Sequence, residues 1–303
     1  MGEVLVKSLT FILIICIGFV LKRLRVLKKE DANTLATIIM NITLPCALLT
    51  SANGIELNVL IIILIVVGIL SNVVMIAIGY FSSRKESNQI KAAFMINTSG
   101  YNIGNFVLPF IQGFFPSVGI VYLCSFDIGN ALMGLGITYA VSAHVATGES
   151  DFKISEFIKK LFSSIPFDVY ILIFILAIFK LKIPAPILSI ATTIGAGNSF
   201  LAMLMIGLLL EIKISHREVK YVLKVICLRT IGTLVISLIT YFLLPIPLLA
   251  KQILIMSYCA PLSTVSAVFS RKIGYEGDMP AVANSLSIIL GVVYMIILLI
   301  LFI

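Results

Sequence analysis

Long apolar runs alternate with short polar intervals along all 303 residues of the chain. Each run is about 20 residues long, the length at which a helix crosses the hydrocarbon core of a bilayer. The runs are continuous, whereas the strands of a membrane β-barrel would alternate over about ten residues. Ten spans are predicted, at about 4–21, 32–52, 57–80, 90–112, 117–143, 157–179, 185–210, 219–244, 247–270 and 278–302. Spans 1, 3, 8 and 10 are apolar enough to face lipid. Spans 2, 4, 7 and 9 are weaker and are expected to face protein or a cavity. Span 2, for example, holds Asn33, Thr34, Asn41 and Pro45.

Two spans are interrupted. Residues 97–109 read Asn-Thr-Ser-Gly-Tyr-Asn-Ile-Gly-Asn-Phe-Val-Leu-Pro inside span 4. Nothing in hydrocarbon replaces water for a stray amide, and each unsatisfied group costs several kcal/mol. Such a segment must be buried in protein or line a wet cavity, so a broken helix is predicted. In span 9, Ser257-Tyr258-Cys259-Ala260-Pro261-Leu262-Ser263-Thr264-Val265-Ser266 contains a proline, which lacks an N–H and kinks or breaks its helix. One such span is often a plain proline kink. Here both fall on the fourth span of a five-span half, and each fifth span carries an asparagine, Asn130 and Asn284. An odd number of spans per half makes any repeat an inverted one. The chain is thus expected to be an all-α polytopic membrane protein, with inverted repeats over 1–150 and 151–303.

Composition narrows the class. With 60% hydrophobic and 12% charged residues and a mean hydropathy of +1.15, no separate water-soluble domain fits. The longest polar interval runs only from about 143 to 156. The net charge of +8 falls in clusters between spans, which marks topology and not a nucleic-acid surface. Seventeen of the 22 basic residues lie in the intervals after spans 1, 3, 5, 7 and 9, including Lys213 and Arg217. Four lie on the opposite side, and Arg229 lies within span 8. A multi-pass protein of the cell (plasma) membrane with both termini outside is expected. The apolar run after Glu3 reads as the first span and not as a cleavable signal.

The five cysteines sit within spans with no close pair, and His144 and His216 make no metal site, so no cofactor is expected. No nucleotide-binding loop, Gly-x-Ser-x-Gly, His-Glu-x-x-His or paired catalytic aspartates occur, which argues against an enzyme.

The interrupted segments resemble a known family. Asn102-Ile-Gly-Asn-Phe-Val-Leu-Pro109 is similar to the Asn-Thr-Gly-Phe-Leu-Gly-Leu-Pro stretch of the auxin efflux carrier family, which includes plant PIN-type carriers and bacterial malonate and malate permeases. Phe126-Asp127-Ile128-Gly129-Asn130 resembles its fifth-span motif, Pro261 to Gly274 its ninth span, and Asn41-Ile-Thr-Leu-Pro45 its second-span element. Asn105 and Val107 depart from the pattern, standing where the family has Phe or Leu and Gly. The resemblance implies a fold like sodium/proton antiporters and bile-acid transporters. Spans 1, 2, 6 and 7 would form a scaffold. Spans 3–5 and 8–10 would form a transport core in which helices 4 and 9 cross, with elevator-type alternating access.

The residues at the crossing carry the chemistry. Half-helix N-termini suit a carboxylate. Asn102 and Asn105 add amides, and Ser263 and Thr264 add hydroxyls. Gly104, Pro261, Asn41, Asn130 and Arg229 complete the candidate substrate-binding set, and Asn198 could line the scaffold side. Asp127 lies about 11 residues past Pro116, or ~16 Å at 1.5 Å per residue, near mid-bilayer. An embedded carboxylate is a functional candidate, here for coupling to H+ or Na+; pairing with Arg229 is the alternative.

The expected function is a secondary active transporter or facilitator of small organic anions, mono- or dicarboxylates. An exporter of auxin-like aromatic weak acids is an alternative, and a channel or transporter-like sensor is the alternative of another class. Expected partners are the organic anion, the lipid bilayer and, through the scaffold, a second copy of the chain; no nucleic acid is expected.

Overall fold

The computed structural model describes residues 2–51, 53–54, 58–148, 153–210 and 218–303. The predicted loop residues Lys213, His216 and Arg217, the 149–152 stretch of the long polar interval and the Glu3 side chain lie outside the described residues.

Every regular element among them is a helix. In chain order these are α1 (Gly2–Arg23), α2 (Asp31–Ser51), α3 (Val59–Ser82), α4 (Asn88–Thr98), α5 (103–114), α6 (Ser117–Thr147), α7 (Ile154–Leu161) and α8 (Ile165–Ile178). They continue with α9 (Ala185–Leu209), α10 (Val219–Leu243), α11 (Leu248–Tyr258), α12 (Ser266–Lys272) and α13 (Met279–Phe302). Six of them, α2, α3, α6, α9, α10 and α13, are long and apolar enough to cross a membrane. The protein is a polytopic helical membrane protein.

Span 6 differs from expectation. It was placed at about 157–179 as one helix, but α7 and α8 are bent by 80° against each other. Ser164 is extended there and Pro166 sits in the first turn of α8, where its missing N–H is harmless. α7 exposes Ile154 and Ile158 and buries Leu161 at its C-terminal end.

Packing follows residue size. α1 crosses α9 where Gly18 meets Leu204 and Gly207, and α3 crosses α6 where Gly68 meets Phe126 and Gly129. A Cβ on either of the first-named glycines would strike backbone, so these contacts need small residues, as close helix pairs in lipid do. α2 packs on α8 and α9, whereas α10 packs on α11, α13 and α3. Apolar side chains are exposed on the spans read as lipid-facing, such as Leu9 and Leu13 on α1, Ile62 and Leu70 on α3, Leu234 and Leu238 on α10, and Ile297 and Leu301 on α13, but α9, read as facing protein, also exposes Ile187, Ile190 and Phe200. α4 is instead buried throughout its second half, from Ala92 to Thr98.

Both interrupted spans are broken. α4 stops at Thr98 and α5 starts at Ile103; α11 stops at Tyr258 and α12 starts at Ser266. The two breaks touch: the Asn102 N–H donates to the Pro261 carbonyl at 3.1 Å.

Candidate functional site

Irregular backbone at membrane depth needs substitutes for its lost helical bonds. Side chains supply them. Asn72 of α3 accepts from the Gly100 N–H at 2.8 Å. Asn130 of α6 accepts from the Tyr101 N–H at 3.1 Å and donates to the Tyr101 carbonyl at 2.9 Å. Ser287 of α13 accepts from the Leu262 N–H at 3.1 Å. Arg229 of α10 donates to the Thr98 and Ser99 carbonyls at 2.7 and 3.0 Å and to the Ala260 carbonyl at 3.0 Å. It thereby caps the C-terminal ends of α4 and α11, where helix dipoles favour a cation.

The fifth-span motif explains itself residue by residue. Phe126 stacks against Tyr101 and Tyr258, with ring centroids 5.7 and 5.6 Å away. Gly129 admits the α3 backbone at Ile65 and Gly68. Asp127 is half-buried and accepts from Asn130 Nδ2 at 2.8 Å and from the Tyr170 hydroxyl of α8 at 2.9 Å.

One cavity of ≈120 Å³ joins these parts. Asn102, Gly104, Asn105, Asp127, Asn130, Ser263 and Thr264 line it, so seven of the predicted site residues converge. The other three stand elsewhere. Asn41 is exposed, because its turn presents Met40 and Leu44 to the cavity instead. Pro261 is buried within the crossing, where its carbonyl holds the Asn102 N–H. Arg229 lines a separate space of ≈20 Å³ with Thr230, Thr233 and Tyr294. No ion pair joins Asp127 to Arg229, since each is occupied by other partners. Asn198 is a packing residue: it accepts from Thr43 at 3.0 Å and donates to Gln112 at 3.3 Å.

On the cavity wall Asn102, Asn105, Ser263 and Thr264 make no side-chain hydrogen bond to protein, and neither do Ser164 and the buried Tyr101 hydroxyl. Asn105 is only 8% exposed, and its buried Oδ1 has no partner. The first turn of α5, which opens at Asn102, has no side-chain cap either. Buried polar groups are almost always paired; on this cavity wall Asn105 Oδ1 and the Tyr101 hydroxyl break that rule, while Asn102, Ser263 and Thr264 are more exposed. A larger crevice of ≈410 Å³ between α3 and α10 has no such feature. Valine, leucine and isoleucine form most of its wall, and the hydroxyls of Ser71 and Thr240 are bonded within the protein.

Sequence reasoning missed three wide, π-helical turns, Ile39–Thr43, Ile103–Val107 and Met133–Ile137. All three put residues on the cavity wall: Met40, then Ile103, Gly104 and Asn105, then Gly134 and Leu135. The first two share a signal, Asn-x-x-Leu-Pro at 41–45 and again at 105–109. The proline ring clashes with the carbonyl four residues back, here that of Asn41 or Asn105. A widened turn relieves that clash, and such bulges recur at functional sites. Sequence reasoning also missed Tyr170, which lay unremarked in an apolar span.

Two comparisons bear on the chain. Residues 4–150 match the family described as membrane transport protein. A protein of Methanothermobacter thermautotrophicus, described as an uncharacterized transporter, is 30% identical over 149 residues, which is 46% of this chain and 48% of that protein. The matched stretch thus spans about half the length of that relative.

Proposed function

We propose, for a polytopic chain whose residues 4–150 fall in the membrane transport protein family, that the protein is a secondary transporter or facilitator of small organic anions. The observation that carries this reading is the set of unpartnered polar groups around one cavity: Asn102, Asn105, Ser263, Thr264 and the uncapped start of α5. Free amide N–H groups at a helix start bind carboxylate by hydrogen bonding and by the helix dipole. The cavity of ≈120 Å³ is below the usual range for drug-sized ligands, which favours a small acid over an auxin-like aromatic one.

The packing supports a reading of how the protein would move. α1, α2, α8 and α9 are grouped by their contacts, and α3 to α6 pack with α10 to α13. In this reading the first group is the scaffold, through which two copies would pair, and the second is a core that slides past it. The ten-span inverted repeat, with both termini outside, belongs to the same reading. The deciding experiment is counterflow of labelled pyruvate and malonate in proteoliposomes. A carrier exchanges label against unlabelled acid. Conductance without exchange would mark a channel, and binding without either would mark a sensor.

A further inference from the structure

We propose that the cavity takes its substrate as a monovalent carboxylate together with one proton on Asp127, and rejects dianions. This rests on reading the cavity as a carboxylate site.

The charges at the crossing are the basis. Among the described residues, no Lys, Arg or His side chain lines the cavity, and Asp127 is its carboxylate. Arg229 lies behind the cavity-lining Tyr101, its guanidinium 5.6 Å from the ring centroid, and is committed to the Thr98, Ser99 and Ala260 carbonyls. Two helix C-termini, each equivalent to about half a negative charge, answer its charge there. Direct contact with the substrate is therefore left to peptide dipoles and neutral side chains, with no cation on the cavity wall itself. A carboxylate ligand and an ionised Asp127 would share a space of ≈120 Å³. Like charges that close do not both ionise readily. At a few ångströms the repulsion weakens binding on the order of a hundredfold. A second ligand charge would have to be desolvated in a cavity whose wall holds no cation to offset it.

The partners of Asp127 accept both of its states. The Tyr170 hydroxyl, 2.9 Å away, donates to a carboxylate and can turn to accept from a carboxylic acid. Asn130 donates in either case. Of the titratable groups on elements packed against α6, Tyr170 from α8 and Tyr101 from the first break line the cavity. Cys124 lies one turn earlier on α6 itself, and Cys46 of α2, Asp168 of α8 and Tyr258 of α11 lie outside the cavity wall.

The charge balance has a consequence for energetics. The empty carrier crosses with Asp127 ionised. The loaded carrier crosses with Asp127 protonated and one carboxylate bound. The charge moved is the same in both, so the cycle is electroneutral, and the proton taken up with the acid on one side leaves with it on the other.

The test uses the full chain in proteoliposomes with labelled pyruvate, a monoanion, and malonate, a dianion of the same carbon number at neutral pH. Proton flux is followed with an internal pH dye, and membrane potential is clamped with potassium and valinomycin. Expected are one proton per pyruvate, no dependence on potential, and a pyruvate Kd that rises with pH by up to about tenfold per unit, the limit for one linked proton. Malonate should compete only at acid pH. Asp127→Asn should bind pyruvate with a Kd that is flat in pH and should lose accumulation driven by a pH gradient. Pyruvate transport that is electrogenic, proton-free or sodium-dependent overturns the proposal and leaves the carboxylate reading standing. Binding of neither acid at any pH overturns both. Stoichiometry on the unaltered protein decides the question even if Asp127→Asn does not fold.

Discussion

Asn130 donates one amide hydrogen to Asp127 at 2.8 Å and the other to the Tyr101 carbonyl at 2.9 Å. The same side chain that holds the broken backbone therefore also orients the carboxylate, and it has no donor left for a ligand. In the proposed reading it positions Asp127 and does not itself hold the substrate.

Asn130→Ala should accordingly be costly. It leaves the Tyr101 N–H and carbonyl without partners, at about 1–3 kcal/mol for each buried orphan. Asn284→Ala, the matching change in the second half, removes an Oδ1 that has no partner and should be near neutral. Thermal melting of the two purified variants checks the contrast. Equal losses would show that Asn130 does not hold the break.

The unpartnered residues should behave in the opposite way. Asn105→Leu removes a buried amide whose Oδ1 bonds nothing, so stability should hold or rise. Carboxylate affinity should fall by about tenfold or more, since a hydrogen bond to a charged group contributes roughly 1.5–3 kcal/mol. Ser263→Ala should show the same split, though more weakly because Ser263 is more exposed. Titration calorimetry beside a melting curve separates the two quantities. A variant that melts early and binds normally would return that residue to a packing role.

Much of this was legible in the sequence, for a physical reason. Polar residues at membrane depth are expensive, so Asn102, Asn105, Asp127 and Asn130 stand out in the sequence itself. The breaks at 99–102 and 259–265 were announced by glycine and proline. What stayed hidden was direction. Asn41 and Met40 are adjacent, and only the widened turn decides which one faces the cavity. Arg229 looked like an anion ligand because a buried charge needs a counter-charge. Its counter-charge is two sets of helix-end carbonyls, which no side-chain pattern displays.

Gly100 carries the sharp turn of the first break, with φ +74°, and a Cβ there would sit 3.0 Å from Cβ of Ser263. Gly100→Ala meets a backbone penalty of roughly 1–2 kcal/mol and pushes the two breaks apart. Both melting temperature and affinity should drop, because Ser263 is also on the cavity wall. Gly148→Ala is the control. It also has positive φ, at +79°, but nothing among the described residues lies within 4 Å of its added carbon, so it should lose stability alone. If Gly100→Ala binds carboxylate normally, the close approach of the two breaks does not shape the site.

Arg229 separates holding the crossing from binding the ligand. Arg229→Met strands the carbonyls of Thr98, Ser99 and Ala260 in a space only one or two waters could reach. Losing hydrogen bonds to a charged group costs about 1.5–3 kcal/mol each, so this variant should melt far below the parent or fail to fold. Arg229→Lys keeps the charge at the two helix ends but not the planar fork that spans three carbonyls, so it should be intermediate. The folded fraction of Arg229→Lys should bind pyruvate within about twofold of the parent, since Arg229 does not line the cavity. A loss of affinity that exceeds the loss of folded protein, measured by calorimetry on monodisperse material, would mean that the guanidinium turns toward the ligand in another state of the cycle.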